Sequence, residues 1–159
     1  MADLLRTETL DDLNGRFITF NIGSNVFSLE LLNVIEIINV QSITPVPHVP
    51  NYVKGIMNLR GKILPVIDVR LKLKMEARPY DDKTCIIVAQ LDEVLIGLIV
   101  DSISDVVNID SHDLAEHPEH GQTKADKYLK SVTKVGNRVI LNLDCEKFIN
   151  SDYLLGTNR

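Results

Sequence analysis

The sequence contains two similar segments, and this duplication narrows the folds that the chain can adopt. Residues 17–40 align with residues 86–109 without a gap, and residues 52–68 align with residues 128–144. The matched pairs include Phe17 with Ile86, Phe27 with Ile96, Leu29 with Leu98, Val34 with Ile103, Glu36 with Asp105, Ile37 with Val106, Tyr52 with Tyr128, Lys54 with Lys130, Lys62 with Arg138 and Asp68 with Asp144. Any two alternating strands share a period of two, so chance similarity is the alternative. The gapless match and the paired polar positions favour two copies of one unit of about 60 residues.

Each copy consists of short apolar runs separated by turn residues, which is the pattern of a sheet-rich fold. The chain has 17 Ile and 16 Val but only 5 Ala and no Trp, and this composition favours strands over helices. The pattern predicts hairpins at 17–31, 55–69, 85–100 and 132–143, further strands at 34–40 and 106–109, and a short helix within 144–155. About ten short strands in two units predict small β-barrels or a sandwich. The boundary between the units is a natural place for a groove.

The overall charge argues against a nucleic-acid partner. The net charge is -5 and the sequence pI is about 5.3, so the chain lacks the basic footprint that phosphate backbones attract. Its closest basic cluster is the run 70–74, Arg-Leu-Lys-Leu-Lys. We interpret this run as a solvated alternating edge rather than a phosphate site.

The cysteines and the termini suggest a reduced, cytoplasmic protein. Cys85 and Cys145 lie in apolar runs, so we expect inert, buried thiols rather than a disulfide. Residues 1–15 form a polar lead-in without the features of a secretion signal, and residues 151–159 form a tail. No apolar run approaches the roughly 20 residues needed to cross a bilayer. We therefore predict no membrane insertion.

Two groups of residues could carry catalysis or bind a metal, but a purely structural or solvent-exposed role is favoured for both. His112, His117 and His120 share the polar loop 111–125 with acidic residues, and these are metal-ligand types. A solvated loop explains them without a metal or cofactor. Asp68 and Asp101 each follow an apolar strand and could form the carboxylate pair of a small β-barrel enzyme. Capping of the turn beyond each strand is the commoner role.

Arg60 and Glu36 are charged residues placed among apolar neighbours. Arg60 lies at the tip between two apolar strands, next to Asn58 and Gly61. It is either an ordinary hairpin-tip charge or a guanidinium presented to a partner's carboxylate or carbonyl group. Glu36 interrupts the apolar run 34–38. It lies either on the outward face of a strand or at an interface.

The segment 53–70, VKGIMNLRGKILPVIDVR, resembles the signature of the CheW family of bacterial chemotaxis coupling proteins. The similarity extends over about residues 16–150. Further segments that resemble the family are Val34-Ile35-Glu36-Ile37, Thr44-Pro45-Val46-Pro47, Gly97-Leu98-Ile99-Val100-Asp101 and Gly136-Asn137-Arg138-Val139-Ile140-Leu141. Ser131 and Thr133 depart from the small residues usual in the family, and Asn142 interrupts an apolar strand. The loop 111–125 is also distinctive.

The resemblance implies an all-β fold of two SH3-like five-stranded β-barrels with an apolar core between them and short helical segments. It implies that residues 16–48 plus 122–150 form one barrel and that residues 49–121 form the other. Family members are non-catalytic adaptors that bind the regulatory domain of the histidine kinase CheA and the cytoplasmic tips of methyl-accepting chemoreceptors. A CheW-like scaffold serving a pathway other than motility is the alternative.

The resemblance also assigns site residues. The receptor groove is expected between the barrels. Its candidate residues are Val34, Arg60, Gly97, Ile103 and Val106. Glu36 and Gly55 match family positions on or near the kinase side. In this arrangement an apolar floor supplies affinity and one arginine supplies orientation.

Overall fold

Short strands joined by tight turns make up most of the structure, a computed structural model that describes residues 15–109, 114–115 and 126–149. The strands are β1 (Arg16–Ile22), β2 (Asn25–Glu30), β3 (Val34–Asn39), β4 (Val53–Leu59), β5 (Lys62–Asp68), β6 (Cys85–Leu91), β7 (Val94–Val100), β8 (Ser102–Asn108), β9 (Leu114–Ala115), β10 (Leu129–Val135) and β11 (Arg138–Leu143). The helices are α1 (Val69–Lys72) and α2 (Cys145–Ile149), with 3-10 turns at Leu31–Asn33 and Asp126–Tyr128. All four predicted hairpins are therefore confirmed. The described part of the chain has no helix long and apolar enough to cross a membrane.

The strands form two sheets, each of which curls into a small barrel. Barrel A has the strand order β8-β1-β2-β11-β10-β9, and barrel B has the order β3-β6-β7-β5-β4. In each barrel a parallel pair joins two antiparallel hairpins, β2 with β11 in barrel A and β7 with β5 in barrel B. The predicted all-β, two-barrel fold is confirmed.

The strand registers reproduce the duplication seen in the sequence. Ile18 lies opposite Val106 in barrel A, and the matched residues Ile87 and Ile37 lie opposite each other in barrel B. Both pairings contain an irregularity at the same point of the repeat, next to Ile18 in β1 and next to Glu36 in β3. The two barrels are therefore related copies.

The two copies exchange their third strands. β3 leaves barrel A and pairs with β6, while β8 leaves barrel B and pairs with β1. Only Asp101 separates β7 from β8, and one residue is too short for the loop of a hairpin, so the strand continues into the other barrel. The sheets therefore divide the chain differently from the expected ranges: residues 34–39 pair within barrel B, and residues 102–108 pair within barrel A.

The main apolar core lies between the barrels. It draws on both copies: Ile18, Phe20, Leu29 and Leu31 from β1, β2 and the 3-10 turn that follows, and Ile67, Ile87, Leu98 and Phe148 from later elements. A second, smaller core fills barrel B, with Met57, Leu64, Val66, Ile86, Val88 and Ile99. Alternate residues of one strand serve the two cores, because successive side chains of a strand point to opposite faces.

Pro65 in β5 and the Pro-rich connector before β4 both fit into the sheet of barrel B. Pro65 lies opposite Ile56 of β4, just before Val66, where the parallel pairing with β7 begins. Its missing N–H therefore costs no bond to β7. The Pro-rich connector 44–50 adds one bridge, Thr44 to Ile56, at the free side of β4.

Candidate partner-binding surface

The edge strands β3 and β8 carry the apolar residues predicted to bind a receptor. Val34 begins β3 and is buried in the core between the barrels. Ile103, its copy in β8, and Val106 are half-buried and pack against the same core. The structure therefore brings these three residues from two barrels to one apolar cluster, and their role in receptor binding stays a prediction.

Arg60 projects from the tip of the β4–β5 hairpin. Its side chain is 65% exposed and forms an ion pair with Glu36 of β3, whose side chain is only 14% exposed. Arg60 adopts a left-handed conformation (φ 51°), and the turn is held by the N–H of Gly61, which donates to Asn58 Oδ1 at 2.9 Å. The candidate receptor residue Arg60 and the candidate kinase residue Glu36 thus form one pair.

Barrel A carries a matching ion pair that sequence reasoning did not assign. Arg138 at the start of β11 donates through Nη1 and Nη2 to the two carboxylate oxygens of Asp105, at 3.1 Å each. The hydroxyl of Thr19 also donates to this carboxylate. Hydrogen bonds from Arg138 and Thr19 lower the pKa of Asp105. The alignments of Glu36 with Asp105 and of Lys62 with Arg138 were the signal that could have revealed it.

Gly55 and Gly97 are buried inside barrel B. Gly55 has a φ of 144°, and a Cβ there would lie 2.0 Å from the carbonyl oxygen of Thr44. A Cβ at Gly97 would lie 3.0 Å from Ile86 Cγ2 and 3.5 Å from Val66 Cγ2. The structure gives both glycines a packing role, and their roles in kinase and receptor binding stay predictions.

Asp101 lies between the barrels and is held by cationic and backbone donors. Arg70 Nε donates at 2.9 Å to one carboxylate oxygen, and Arg70 Nη2 donates at 2.9 Å to the other. Arg78 Nη1 adds a bond at 3.1 Å, and the N–H of Gly23 adds one at 2.7 Å. Burial alone would raise the pKa of Asp101, but the bonds from Arg70 and Gly23 outweigh it and lower the pKa.

Asp68, the other carboxylate of the enzyme hypothesis, has separate partners. It caps α1 by accepting from the N–H of Leu71 at 3.3 Å, and it accepts from the hydroxyl of Tyr80 at 2.7 Å. Burial and the bond to Asp68 raise the pKa of Tyr80. The two carboxylates therefore hold different elements of the fold, which favours the capping interpretation for Asp68 over a catalytic pair.

The predicted solvated edge at residues 70–74 is wrong for its central residues. The side chain of Lys72 is only 2% exposed, and Leu73 is buried. Lys72 Nζ lies over the rings of Tyr52, Tyr128 and Phe148, at 4.7, 5.6 and 5.1 Å from their centroids. Lys72 is the copy of Phe148 in the duplication, so a cation replaces a ring where the two copies meet.

Neither thiol is fully exposed. Cys145 is buried, which raises the pKa of its thiol to about 12, and Cys85 is half-buried with a raised pKa, also because of burial. His112, His117 and His120 lie outside the described residues. Within residues 15–109, 114–115 and 126–149, no group of three or more His, Cys, Asp or Glu side chains is arranged to hold a metal ion.

Comparisons with known proteins agree with this architecture. A sequence model of the CheW-like domain family matches residues 16–153. The chain is 32% identical over 154 residues to the chemotaxis protein CheW of Klebsiella aerogenes, covering 96% of this chain and 93% of that protein. It is 31% identical over 135 residues to the chemotaxis protein CheW of Rhizobium meliloti, with 85% and 87% covered. The crystal structure of scaffolding protein TtCheW from Thermoanaerobacter tengcongensis is similar, with a TM-score of 0.79 and 26% identity over 85% of this chain and 92% of that chain.

The fold and the ion-paired edge strands define a tandem β-barrel protein built from two exchanged copies of one unit. The match over residues 16–153 shows that the chain belongs to the CheW family.

Proposed function

We propose that the protein is a non-catalytic adaptor that couples the cytoplasmic tips of chemoreceptors to the regulatory domain of the histidine kinase CheA. In this proposal it acts in the cytoplasm and is recruited to receptor arrays. The related proteins named chemotaxis protein CheW and the scaffolding protein TtCheW support this function.

The backbone at Arg60 is the observation that carries the proposal. A non-glycine residue in the left-handed region costs roughly 1 kcal/mol relative to glycine. The copy of this tip in barrel A has Gly136 at the same position, with a φ of 61°. The ion pair with Glu36 offsets part of this cost, and the largely exposed guanidinium keeps donors that a partner's carboxylate or carbonyl group can accept, so partner binding accounts for an arginine where glycine would fit.

The arrangement of candidate residues suggests how two partners share the molecule. Glu36 and Gly55, the kinase candidates, both lie in barrel B. The receptor candidates lie in both barrels, with Val34 and Arg60 in barrel B and Ile103 in barrel A. A receptor tip would therefore contact both barrels, while the kinase domain would contact one.

A charge reversal at Arg60 tests the proposal. Arg60→Glu should abolish co-sedimentation with a receptor cytoplasmic fragment, because it puts a negative charge where the exposed guanidinium would meet a partner's carboxylate or carbonyl group. The thermal unfolding midpoint should stay nearly unchanged, since Arg60 is largely exposed. Lys62→Glu, on the same hairpin and also exposed, is the matched control and should keep binding.

The same experiment includes separate pull-downs with the CheA regulatory domain and with the receptor fragment, and one with both. Failure of the unmodified protein to bind either partner would reject the proposed function. Loss of the folded state in Arg60→Glu would instead make Arg60 a structural residue.

A further inference from the structure

The chain crosses between the barrels twice, and the two crossings differ. From β2 to β3 it passes through the 3-10 turn Leu31–Asn33, where Leu31 is buried in the shared core. From β7 to β8 it passes through Asp101 alone. The duplication aligns Asp101 with Leu32, an exposed apolar residue. One crossing is thus anchored by apolar packing and the other is built around a carboxylate.

The donors to Asp101 come from both barrels. Arg70 belongs to α1, which follows β5 of barrel B, and Arg78 lies in the segment after α1. Gly23 lies at the β1–β2 tip of barrel A, and the N–H of Asp101 donates to the carbonyl oxygen of Asn21 in β1 at 3.1 Å. The side chain of Asp101 is only 11% exposed, so these bonds are partly shielded from water and salt. The carboxylate therefore ties one barrel to the other.

The β1–β2 tip is shaped for this contact. A Cβ on Gly23 would lie 3.1 Å from Met75 Cε and 3.6 Å from Arg70 Nη2, so glycine lets the tip approach barrel B closely. The duplication places Asp92 at the corresponding tip of barrel B, where it is exposed. Within the described residues, the β1–β2 tip therefore contacts the other barrel, whereas Asp92 at the β6–β7 tip is exposed.

The shared core and the Asp101 cluster constrain the barrels in different ways. Apolar contacts hold surfaces together but are non-directional. A guanidinium that donates two bonds to a carboxylate fixes distance and angle together. We propose that Asp101 is a positioning residue: with Arg70, Arg78 and the N–H of Gly23, it fixes the angle between the barrels and thereby the spacing of β3 and β8.

The consequence for binding rests on the proposed function. The receptor candidates Val34 in β3 and Ile103 and Val106 in β8 belong to different barrels, so their spacing depends on the angle between the barrels. The kinase candidates Glu36 and Gly55 lie in one barrel, so their spacing does not depend on the angle between the barrels. Loosening the Asp101 cluster should therefore weaken receptor binding and leave kinase binding almost unchanged.

The test measures the distance between the barrels directly. Spin labels at Lys54→Cys in β4 and Lys134→Cys in β10, both exposed, report one barrel each, with Cys85→Ser and Cys145→Ala in the background. Pulsed dipolar spectroscopy then compares Asp101→Asn and Arg70→Lys with the labelled parent protein. Asp105→Asn is the control for the distance, because it removes a similar ion pair within barrel A from β8, the strand that follows Asp101.

We expect a broadened distance distribution in Asp101→Asn and Arg70→Lys and an unchanged one in Asp105→Asn. If the binding-competent angle falls to about a tenth of the population, the Kd for a receptor fragment rises about tenfold, while the Kd for the kinase domain stays within about twofold. Unchanged distances in both variants would overturn the positioning role, as would broadened distances with unaltered receptor binding.

Failure of Asp101→Asn to fold and failure of the unmodified protein to bind are treated separately. If Asp101→Asn does not fold, the same measurements on Arg70→Lys decide the question, since that variant keeps the charge and loses only the paired geometry. If the unmodified protein binds neither partner, the proposed function fails, and the distance distributions alone decide whether the cluster fixes the angle.

Discussion

The two barrels have the same backbone plan but differ in polarity at five matched interior positions. In barrel B the residues that line the interior beside the parallel strand pair are Gly55, Met57, Val66, Val88 and Gly97. The duplication places Ser131, Thr133, Asn142, Thr19 and Ser28 at the same positions of barrel A, and all five are buried. Barrel A is therefore polar where barrel B is apolar, and the strand register is the same in both.

Hydrogen bonds to Asn142 satisfy the polar side chains inside barrel A. Its Nδ2 donates to Ser131 Oγ at 2.9 Å and to Thr133 Oγ1 at 2.7 Å, and its Oδ1 accepts from the hydroxyl of Ser28. Buried polar groups are costly unless they are hydrogen-bonded, and this network bonds four of them to one another. Turns and the shared core therefore set the strand register, and a barrel of this kind tolerates either an apolar or a hydrogen-bonded polar interior.

The largest effect is expected at Gly55, where barrel B has no room for any side chain. Gly55→Ala would place a Cβ 2.0 Å from the Thr44 carbonyl oxygen at a φ of 144°, so β4 and the Thr44 bridge must separate. We expect a loss of about 3 kcal/mol of unfolding free energy, measured by urea denaturation. Ser131→Ala, at the same position of barrel A, is the control and should cost about 1 kcal/mol, for one lost hydrogen bond.

This result would also clarify the kinase prediction. If Gly55→Ala loses both stability and kinase binding, the glycine acts through the fold of barrel B. A stable Gly55→Ala variant would contradict the steric argument.

The next largest loss of unfolding free energy is expected when Asn142 of barrel A and its copy Val66 of barrel B are each replaced by the other residue type. Asn142→Val removes the amide at the centre of the polar network, so the buried hydroxyls of Ser131 and Thr133 lose their hydrogen-bond partner. The unfolding free energy should fall by about 2–3 kcal/mol. Val66→Asn buries an amide among Met57, Leu64 and Ile86, at a cost of about 2–3 kcal/mol. Urea denaturation of both variants checks the pair. If Asn142→Val is neutral, the network does not stabilise barrel A.

The sequence predicts the duplication, the hairpins and the two-barrel class because alternation and turn residues are local signals. It does not predict that β3 and β8 exchange between the barrels. The exchanged and unexchanged arrangements bury the same strand faces, and only the short crossing at Asp101 distinguishes them. The resemblance implied a discontinuous first barrel that includes residues 34–39, whereas the structure pairs these residues with β6 of barrel B.

The individual site residues were harder to predict than the fold. Ser131, Thr133 and Asn142 stand out in the sequence as separate departures from the family, yet in the structure they form one network. Their proximity depends on strand pairing, which single positions do not reveal. Lys72 is hidden for a similar reason, because its aromatic neighbours come from Tyr52, Tyr128 and Phe148, which are distant in sequence.

The smallest change in stability, and the clearest separation of stability from function, is expected at the hairpin tips. Arg60→Gly relieves the left-handed backbone but leaves Glu36 without its guanidinium, so the unfolding free energy should change by no more than about 1 kcal/mol. The reciprocal Gly136→Arg puts an arginine into barrel A at a φ of 61° and should cost about 1 kcal/mol. Co-sedimentation with a receptor fragment should be lost in Arg60→Gly and retained in Gly136→Arg. If Arg60→Gly keeps full binding, the strained arginine needs another explanation, and the functional difference between the two tips disappears.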